Sequence, residues 1–408
     1  MPVAAAVDLQ NGFPFDSADF SDTGTTPLLR IRDLTASEFE TYLNLNVPEQ
    51  YMVRAGDLVI GMDGDFNAII WKRDPAALNQ RVCRLRARKG HDLRYVGYSL
   101  PAELKRINET EFATTVKHLS SGEILSSRIP SKSLEEQRRI ADFLDDRVAR
   151  IDQIIAARQQ ERQLAVEAGE RATDRIAMPC RDDSQRRDPS DLPRGEEVPP
   201  GWQVESIGRL TRRITYGFTN PMPTADDGPY LLTANDVGDG AVRLESARHT
   251  TDEAFTKLLT DKSRPRPGDT LLTKDGTLGR VALFEGPAAC VNQSVAVLTP
   301  NRAQICPELL AEILRCPSYQ AALLFQAGGT TIKHLYISRV AKQKLALPPL
   351  DGQAALAQHL RDARLRTAAI AGGFDQSVAL LQEYKQSLIT AAVSGDFDVA
   401  TASTRIPE

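Results

Sequence analysis

Apolar residues recur at helical spacing in two long segments of the chain. The first segment carries them at Ile140, Leu144, Val148, Ile151 and Ile155. The second keeps the same rhythm of threes and fours from Leu356 to Leu388. Because this spacing places the side chains on one helix face, and an apolar face must be buried, the pattern predicts two long helices with coiled-coil-like seams. We expect them over residues 131–178 and 347–398.

Proline and glycine modify this picture locally. Pro130 and Pro349 lie just before the predicted first turns, where proline is tolerated because no backbone N–H has to be bonded there. Gly372 and Gly373 fall inside the second seam. Each glycine weakens a helix by about 1 kcal/mol relative to alanine, so the pair predicts a local kink or break.

Short apolar runs separated by Gly, Pro, Asn and Asp precede each helical segment. The runs that follow Gly56-Asp57 and Gly268-Asp269 are typical, and these glycine–aspartate pairs are expected to be turn residues. Such runs predict strand-rich, mixed α/β domains, which we expect over residues 1–130 and 201–346. The polar, proline-containing stretch 179–200 predicts a linker.

The two halves of the chain are copies of one unit. The segment 114–119, Thr-Thr-Val-Lys-His-Leu, recurs as Thr-Thr-Ile-Lys-His-Leu at 330–335. Asn79-Gln80 likewise matches Asn292-Gln293, and further matches follow in the same order, so the sequence indicates an internal duplication. The predicted fold class is therefore α+β, with two mixed α/β domains that are each followed by a long helix. Equivalent seams bury each other most simply as an antiparallel coiled coil with pseudo-twofold symmetry.

Composition limits the function. The chain is 41% hydrophobic and 25% charged, and its five cysteines never stand in a C-x-x-C spacing. We expect no membrane span, no metal site and reduced thiols in a cytoplasmic protein. There is also no phosphate-binding or dinucleotide-binding glycine motif. The net charge is −4, whereas a protein that grips DNA alone usually has a basic surplus. Either DNA is not the ligand, or partner subunits supply much of the phosphate contact.

Residues at the helix ends carry a family resemblance. The two helices begin with Leu134-Glu135-Glu136-Gln137 and Leu350-Asp351-Gly352-Gln353, and the second ends in a segment, 384–399, that closes with Ser-Gly-Asp-Phe-Asp-Val. The second unit opens with Val198-Pro199-Pro200-Gly201-Trp202. In these segments the chain resembles the specificity subunit of type I restriction–modification systems, over nearly its whole length. The first unit departs from the pattern because it has no counterpart of Trp202 to Leu210, so we expect its domain to be short at the first strand.

The resemblance implies a DNA-recognition function without catalysis. Each α/β domain of that family is a target-recognition domain for one half of a bipartite, asymmetric sequence in double-stranded DNA. The helices space the two halves and dock two methylation subunits, and restriction subunits can join them. No cofactor is implied on this chain: the methylation subunits use S-adenosylmethionine, and the restriction subunits use ATP with magnesium. Two alternatives stay open, a targeting subunit of another methylase-based defence system and a coiled-coil scaffold that binds only proteins.

Candidate DNA contacts lie in three pairs of equivalent segments. Hydroxyl, amine and imidazole groups of the repeated hexapeptide suit phosphates or base edges, although a repeated segment is equally expected to close each domain. Amides after a strand suit adenine, or they cap the strand. The loops 62–67 and 274–280 differ in charge, as two different half-site readers would, although solvated turns would differ too. The candidates are Thr114, Thr115, Lys117, His118, Asn67, Asn79, Gln80, Arg81, Lys274, Thr277, Arg280, Asn292, Gln293, Ser294, Thr330, Thr331, Lys333 and His334.

Overall fold

The computed structural model describes residues 1–110, 117–179, 198–325 and 334–401. Most of the predicted linker therefore lies outside the described residues. Contacts divide the chain into two units, one of residues 1–158 with 376–408 and one of residues 159–375. Each unit holds one α/β domain together with part of both long helices. Within the described ranges no helix is long and apolar enough to cross a membrane.

The first unit begins with a domain of short strands. Its strands are β1 (Val7–Asn11), β2 (Phe20–Ser21), β3 (Thr26–Leu29), β4 (Tyr42–Leu43), β5 (Met52–Val53), β6 (Leu58–Gly61), β7 (Ala68–Ile70), β8 (Ala76–Leu78) and β9 (Val82–Ala87). Its helices are α1 (Leu93–Thr110), α2 (Ser121–Ser126) and α3 (Leu134–Ala177). The strands form two sheets, ordered β1-β9-β6-β7 and β2-β4-β3-β8-β5.

The second unit has the same plan with additional elements. Its strands are β10 (Gln203–Ser206), β11 (Thr211–Tyr216), β12 (Ala225–Leu232), β13 (Arg248–His249), β14 (Thr270–Thr273), β15 (Val281–Leu283), β16 (Ala289–Val291), β17 (Val295–Pro300) and β18 (Lys344–Leu347). Its helices are α4 (Ile207–Leu210), α5 (Asp252–Lys257), α6 (Pro307–Leu314), α7 (Pro317–Phe325), α8 (Ile337–Lys342) and α9 (Leu350–Ser394). Both long helices span the two units: residues 159–177 of α3 belong to the second unit, and residues 376–394 of α9 belong to the first. Single 3₁₀ turns lie at Val3–Ala5, Ser17–Asp19, Ile31–Leu34, Glu49–Tyr51 and Asp261–Ser263.

The duplication is visible in the sheets. The order β11-β17-β14-β15 repeats the order β1-β9-β6-β7 strand for strand. The turns before β6 and β14 match as well, because Gly56 and Gly268 have φ angles of 94° and 93°, which favour glycine. Asp57 and Asp269 each accept a backbone N–H three residues earlier at 2.9 Å. Both glycine–aspartate pairs are turn residues, as predicted.

Each domain is held to its helix through an apolar core. In the first unit, Leu58 of β6 and Leu100 of α1 share one buried cluster with Ile140 and Leu144 of α3. In the second unit, α6 and α7 pack with Leu356 and other apolar residues of α9. The apolar seam of each long helix therefore makes two contacts. It packs against the other long helix and also against the α/β domain that precedes it in the chain.

The two long helices run antiparallel within each unit. In the first unit, Phe143 lies against Phe397 with ring centres 5.7 Å apart, and Asp152 accepts from Lys385 at 2.7 Å. In the second, Arg162 Nε lies 2.7 Å from Asp375 Oδ1, and Gly169 faces Thr367. Contacts thus move back along α9 as they move forward along α3, and the predicted antiparallel packing is confirmed.

Two expectations need correction. The helix α9 continues through Gly372 and Gly373, so the predicted break is wrong: a penalty of about 1 kcal/mol per glycine is small beside the packing of a long helix. The second expectation, that the first domain has no counterpart of Trp202 to Leu210, is wrong for the end of that segment. Pro2 forms a bridge with Arg128, as Ser206 does with Lys344, so the end of that segment is present.

Candidate nucleic-acid interface

Part of the repeated hexapeptide can be placed. Thr114, Thr115, Thr330, Thr331 and Lys333 lie outside the described residues. Lys117, His118 and His334 are described. Lys117 donates through Nζ to Asn108 at the end of α1, at 2.9 Å from Oδ1.

A histidine–aspartate pair fixes the described end of this segment in each domain. His118 Nδ1 lies 2.6 Å from Asp63 Oδ1, and His334 Nδ1 contacts Asp275 Oδ1. The next residue adds a backbone bond: Leu119 N donates to Met62 O at 2.7 Å, and Leu335 N donates to Lys274 O at 3.0 Å. The segment is therefore closed onto the loop that follows the central strand, β6 or β14. This closure supports a structural role for the repeated histidines.

The loops also share a second backbone contact. Met62 N donates to Arg81 O, and Lys274 N donates to Ser294 O, both at 2.8 Å. Met62 and Lys274 are thus equivalent, and so are Arg81 and Ser294. The backbone of the two domains is the same at this place, while the side chains differ.

The basic partner of the aspartate comes from different places in the two domains, the turn between β8 and β9 in the first and the residue after β14 in the second. In the first domain, Arg81 Nε lies 3.7 Å from Asp63 Oδ2. In the second, Lys274 Nζ lies 2.6 Å from Asp275 Oδ2. Burial raises the pKa of Asp275, but the hydrogen bonds from Lys274 and His334 outweigh it, so the pKa lies below the usual range. The two loops therefore share the carboxylate, whereas its basic partner is Arg81 in the first domain and Lys274 in the second.

The asparagines of the predicted adenine-reading amides lie where two strands meet. Two glycines lie very close to neighbouring backbone there. A methyl group added to Gly12 would lie 1.9 Å from Asn79 O, and one added to Gly217 would lie 1.7 Å from Val291 O. Asn79 is only 8% exposed, and Asn292 Oδ1 accepts from Ser294 N at 3.1 Å. Their placement favours the strand-end interpretation. Gln80 and Gln293 are exposed and stay candidates for base contact.

The loops 62–67 and 274–280 are held by backbone hydrogen bonds to the ends of β6 and β14. Asn67 O accepts from Gly61 N, and Arg280 O accepts from Thr273 N, both at 2.9 Å. The Thr273 hydroxyl also donates to Thr277 O. The side chains of Asn67 and Thr277 are exposed, so the loops are ordered turns that present variable residues.

An open cavity of about 560 Å³ adjoins this loop in the second domain. Its lining includes Tyr216, Lys274, Gln293, His334 and Tyr336. Lys274 Nζ lies 5.3 Å from the Tyr216 ring centre, and the His334 and Tyr336 rings contact edge to face at 4.8 Å. We call this the tyrosine cleft. Both tyrosines are partly exposed, at 39% and 46%. They were not among the residues predicted from the sequence, because they do not recur in the repeat.

A buried glutamine joins each domain to its helix. Gln137 and Gln353 are both 0% exposed. Gln137 Oε1 accepts from Asp92 N at 2.9 Å, and Gln353 Oε1 accepts from Cys306 N at 2.8 Å. The repeated Leu-x-x-Gln at the start of each helix is therefore a docking element for the domain.

The charges around these two joints are reversed. In the first unit, Arg94 of the domain bonds Asp142 and Asp145 of α3 at 2.7 and 2.8 Å. In the second unit the acid is on the domain, where the buried Glu312 lies 3.3 Å from both Arg361 and Arg364 of α9. One architecture thus carries opposite polarity in its two copies.

Other site chemistry is limited. No cluster of three or more His, Cys, Asp or Glu that could hold a metal ion occurs within the described ranges. Cys83, Cys290, Cys306 and Cys316 form no disulfide, and burial raises the pKa of Cys83 and Cys290 to about 12. Such thiols are poorly reactive because little thiolate is present near neutral pH.

Comparison with known families decides the classification. The family described as "Type I restriction modification DNA specificity domain" matches residues 6–162 and 246–370. The chain belongs to the type I restriction–modification specificity subunits. The two matched stretches fall one in each half, as the duplication requires, and the resemblance found in the sequence is confirmed.

Individual relatives agree with this family. The specificity subunit is 30% identical to the type I restriction enzyme EcoBI specificity subunit of Escherichia coli over 96% of this chain and 84% of that protein. A putative type I restriction enzyme specificity subunit of Haemophilus influenzae is 28% identical over 44% of this chain and 45% of its own length. A solved chain described as "Structural basis underlying complex assembly and conformational transition of the type I R-M system" has the same fold. It is 16% identical, with a TM-score of 0.69, and the match covers 96% of this chain and 98% of that one.

Proposed function

We propose that this specificity subunit recognises a bipartite, asymmetric DNA site, one half with residues 1–130 and the other with residues 201–346. One observation carries the proposal. The two domains share a sheet order, a His–Asp pair and its backbone bonds, yet differ in side chains at equivalent places. Base edges in the major groove are distinguished by polar side chains held in a fixed position. A common frame with unlike side chains suits two unlike half-sites.

The helices are proposed to space the half-sites and to dock two methylation subunits, which restriction subunits can join. Leu164 of α3 and Leu380 of α9 occupy equivalent places in the repeat and are 53% and 57% exposed. A single exposed leucine is common, but its recurrence at equivalent places of both helices favours a partner surface. The net charge of −4 also favours a complex in which other subunits supply phosphate contacts.

The subunit itself is proposed to be non-catalytic. Its sequence has no nucleotide-binding glycine motif, and the proposed task needs only binding and positioning. S-adenosylmethionine would be held by the methylation subunits, and ATP with magnesium by the restriction subunits. The cytoplasmic location expected from the cysteines stays a prediction.

Genome-wide methylation mapping tests the proposal. A host without the system would receive this chain together with the methylation subunit from its own source organism. We expect one new bipartite methylated motif, and replacement of residues 1–130 by the equivalent domain of a relative should change one half of it. Methylation without sequence preference would contradict the proposal and leave a scaffold that binds only proteins.

A further inference from the structure

Four pairs of equivalent residues around the His–Asp pair differ between the domains. The equivalences follow from the shared backbone. The first position ends β1 or β11, the next two are joined to each other by a backbone hydrogen bond, and the fourth lies two residues after the histidine. The pairs are Asn11 and Tyr216, Met62 and Lys274, Arg81 and Ser294, and Ser120 and Tyr336.

In the second domain Tyr216, Lys274 and Tyr336 line a recess. The tyrosine cleft combines two partly exposed phenol groups with the exposed amide of Gln293. Beneath them Lys274, whose side chain is only 7% exposed, is held by Asp275. An ammonium group has three N–H donors, and the carboxylate takes one of them at 2.6 Å. Lys274 Nζ also lies 5.3 Å from the Tyr216 ring centre, so the ammonium group adjoins the cleft.

In the first domain a hydrogen bond crosses the same place. Asn11 Oδ1 accepts from Ser121 Oγ at 2.7 Å, which joins the two walls. Ser120 caps α2 through its bonds with Glu123. Met62 is buried, and the basic group instead belongs to Arg81, whose side chain is 55% exposed. The first domain therefore presents a guanidinium on its surface where the second presents a recess.

We propose that these positions determine sequence specificity, and that the tyrosine cleft receives the edge of a base of one half-site. This inference rests on the proposed function. Tyr216, Gln293 and Tyr336 would contact the base, while Lys274, positioned by Asp275, supplies a donor below them. Amide and ammonium groups pair with purine edges in the major groove. In the first domain Arg81, a side chain suited to guanine O6 and N7, has the corresponding role.

The test measures discrimination in each half of the site. The full chain in complex with its methylation subunit is titrated with duplexes that carry the mapped motif or a single base change. The double variant Tyr216→Asn with Tyr336→Ser installs the residues of the first domain. We expect it to lose at least about tenfold of discrimination at one base of one half, since a good base contact is of that order. Arg81→Ser should act only on the other half.

Controls separate specificity from folding and from phosphate contact. Tyr216→Phe with Tyr336→Phe keeps the rings and removes the hydroxyls, and thermal unfolding shows whether each variant is folded. Lys257→Met, on α5 and outside the cleft, should leave discrimination unchanged, whereas Lys274→Met should reduce it.

Two outcomes overturn the inference. The first is a folded double variant that keeps the discrimination of the wild type. The second is a loss of affinity that is equal for all sequences with a weaker salt dependence, because that behaviour indicates phosphate contact. If the wild-type complex discriminates in neither half, the proposed function fails as well, and the two failures are thereby distinguished.

Discussion

Single residues show how the two domains share a frame. Asp63 and Asp275 each bind the histidine of the repeated segment, and each has a basic neighbour. The second pair is the more enclosed, because Lys274 is nearly buried. A buried ammonium without its carboxylate is costly, so Asp275 is expected to matter for stability independently of any contact with DNA.

We expect Asp275→Asn to lower the free energy of unfolding by roughly 2 kcal/mol at neutral pH, because it leaves Lys274 and His334 without a charged partner. The folded-state pKa of Asp275 is lowered. Its stabilisation is therefore fully present above the unfolded-state value near pH 4 and is lost as the pH falls through the lowered one.

Thermal unfolding of both proteins between about pH 2 and pH 7 measures this effect, over the range in which carboxylates titrate. The difference between wild type and variant should shrink at the acid end. Asp226→Asn, at an exposed site in the same domain, is the control and should change little. A difference that stays constant with pH would show that the carboxylate charge is not the cause.

The candidate site was only partly predictable from sequence. The repeat marked His334 and the variable loop marked Lys274 as candidates, but neither pattern indicated that both contact Asp275. The repeat could not mark Tyr216 or Tyr336, since the first domain has Asn11 and Ser120 there. The cleft is assembled from β11, the loop after β14 and the segment before α8, and only the fold brings these together.

At the level of elements, most of the architecture follows from pattern. The helices predicted at 131–178 and 347–398 run from Leu134 to Ala177 and from Leu350 to Ser394. Local propensity misled at Gly372 and Gly373 because tertiary packing decides the state of a long helix. The reversed charges of the two domain–helix joints were not predicted, since charged residues on a helix usually face solvent.

Arg94→Glu should destabilise the first unit by about 2 kcal/mol or more, because it places a fourth carboxylate beside Asp92, Asp142 and Asp145. Adding Asp145→Arg should recover part of the loss. Chemical unfolding of the single and double variants gives the coupling free energy. Arg94→Met, which removes the charge without repulsion, is the control and should cost less. Additive effects of the two substitutions would show that the joint is not electrostatically coupled.

Two helix glycines should respond to alanine in opposite directions. At Gly169 a methyl group would lie 2.1 Å from Thr367 Oγ1, so Gly169→Ala should destabilise the helix pair by about 1–3 kcal/mol through overpacking. At Gly372 a methyl group would meet no atom within 4 Å. Gly372→Ala should therefore stabilise by up to about 1 kcal/mol through helix propensity. Thermal unfolding followed by circular dichroism compares the two, and equal signs would contradict the close approach at Gly169.

For the whole molecule, the duplication repeats exposed positions on the two long helices. The repeat places Leu164 of α3 and Leu380 of α9 at equivalent positions, and both are exposed by more than half of their surface. A solvent-facing leucine is common singly, but its recurrence in both copies needs a cause. Under the proposed function that cause is a methylation subunit seated on each helix.

Leu164→Glu and Leu380→Glu should therefore each remove one methylation subunit from the assembly, and the double variant should remove both. Loss of one buried leucine contact corresponds to about 1.5–3 kcal/mol, which is roughly tenfold or more in affinity. Light scattering after size exclusion measures the number of methylation subunits bound, and thermal unfolding confirms that the chain stays folded. Gln160→Glu and Gln382→Glu add the same charge at exposed sites of the same helices and should leave the complex intact. Because the leucines are repeat equivalents, equal losses from the two single variants would mean that the duplication has preserved the docking surface in both copies. Unequal losses would place the partner on one helix only. In that case the complex would not follow the internal symmetry of the subunit.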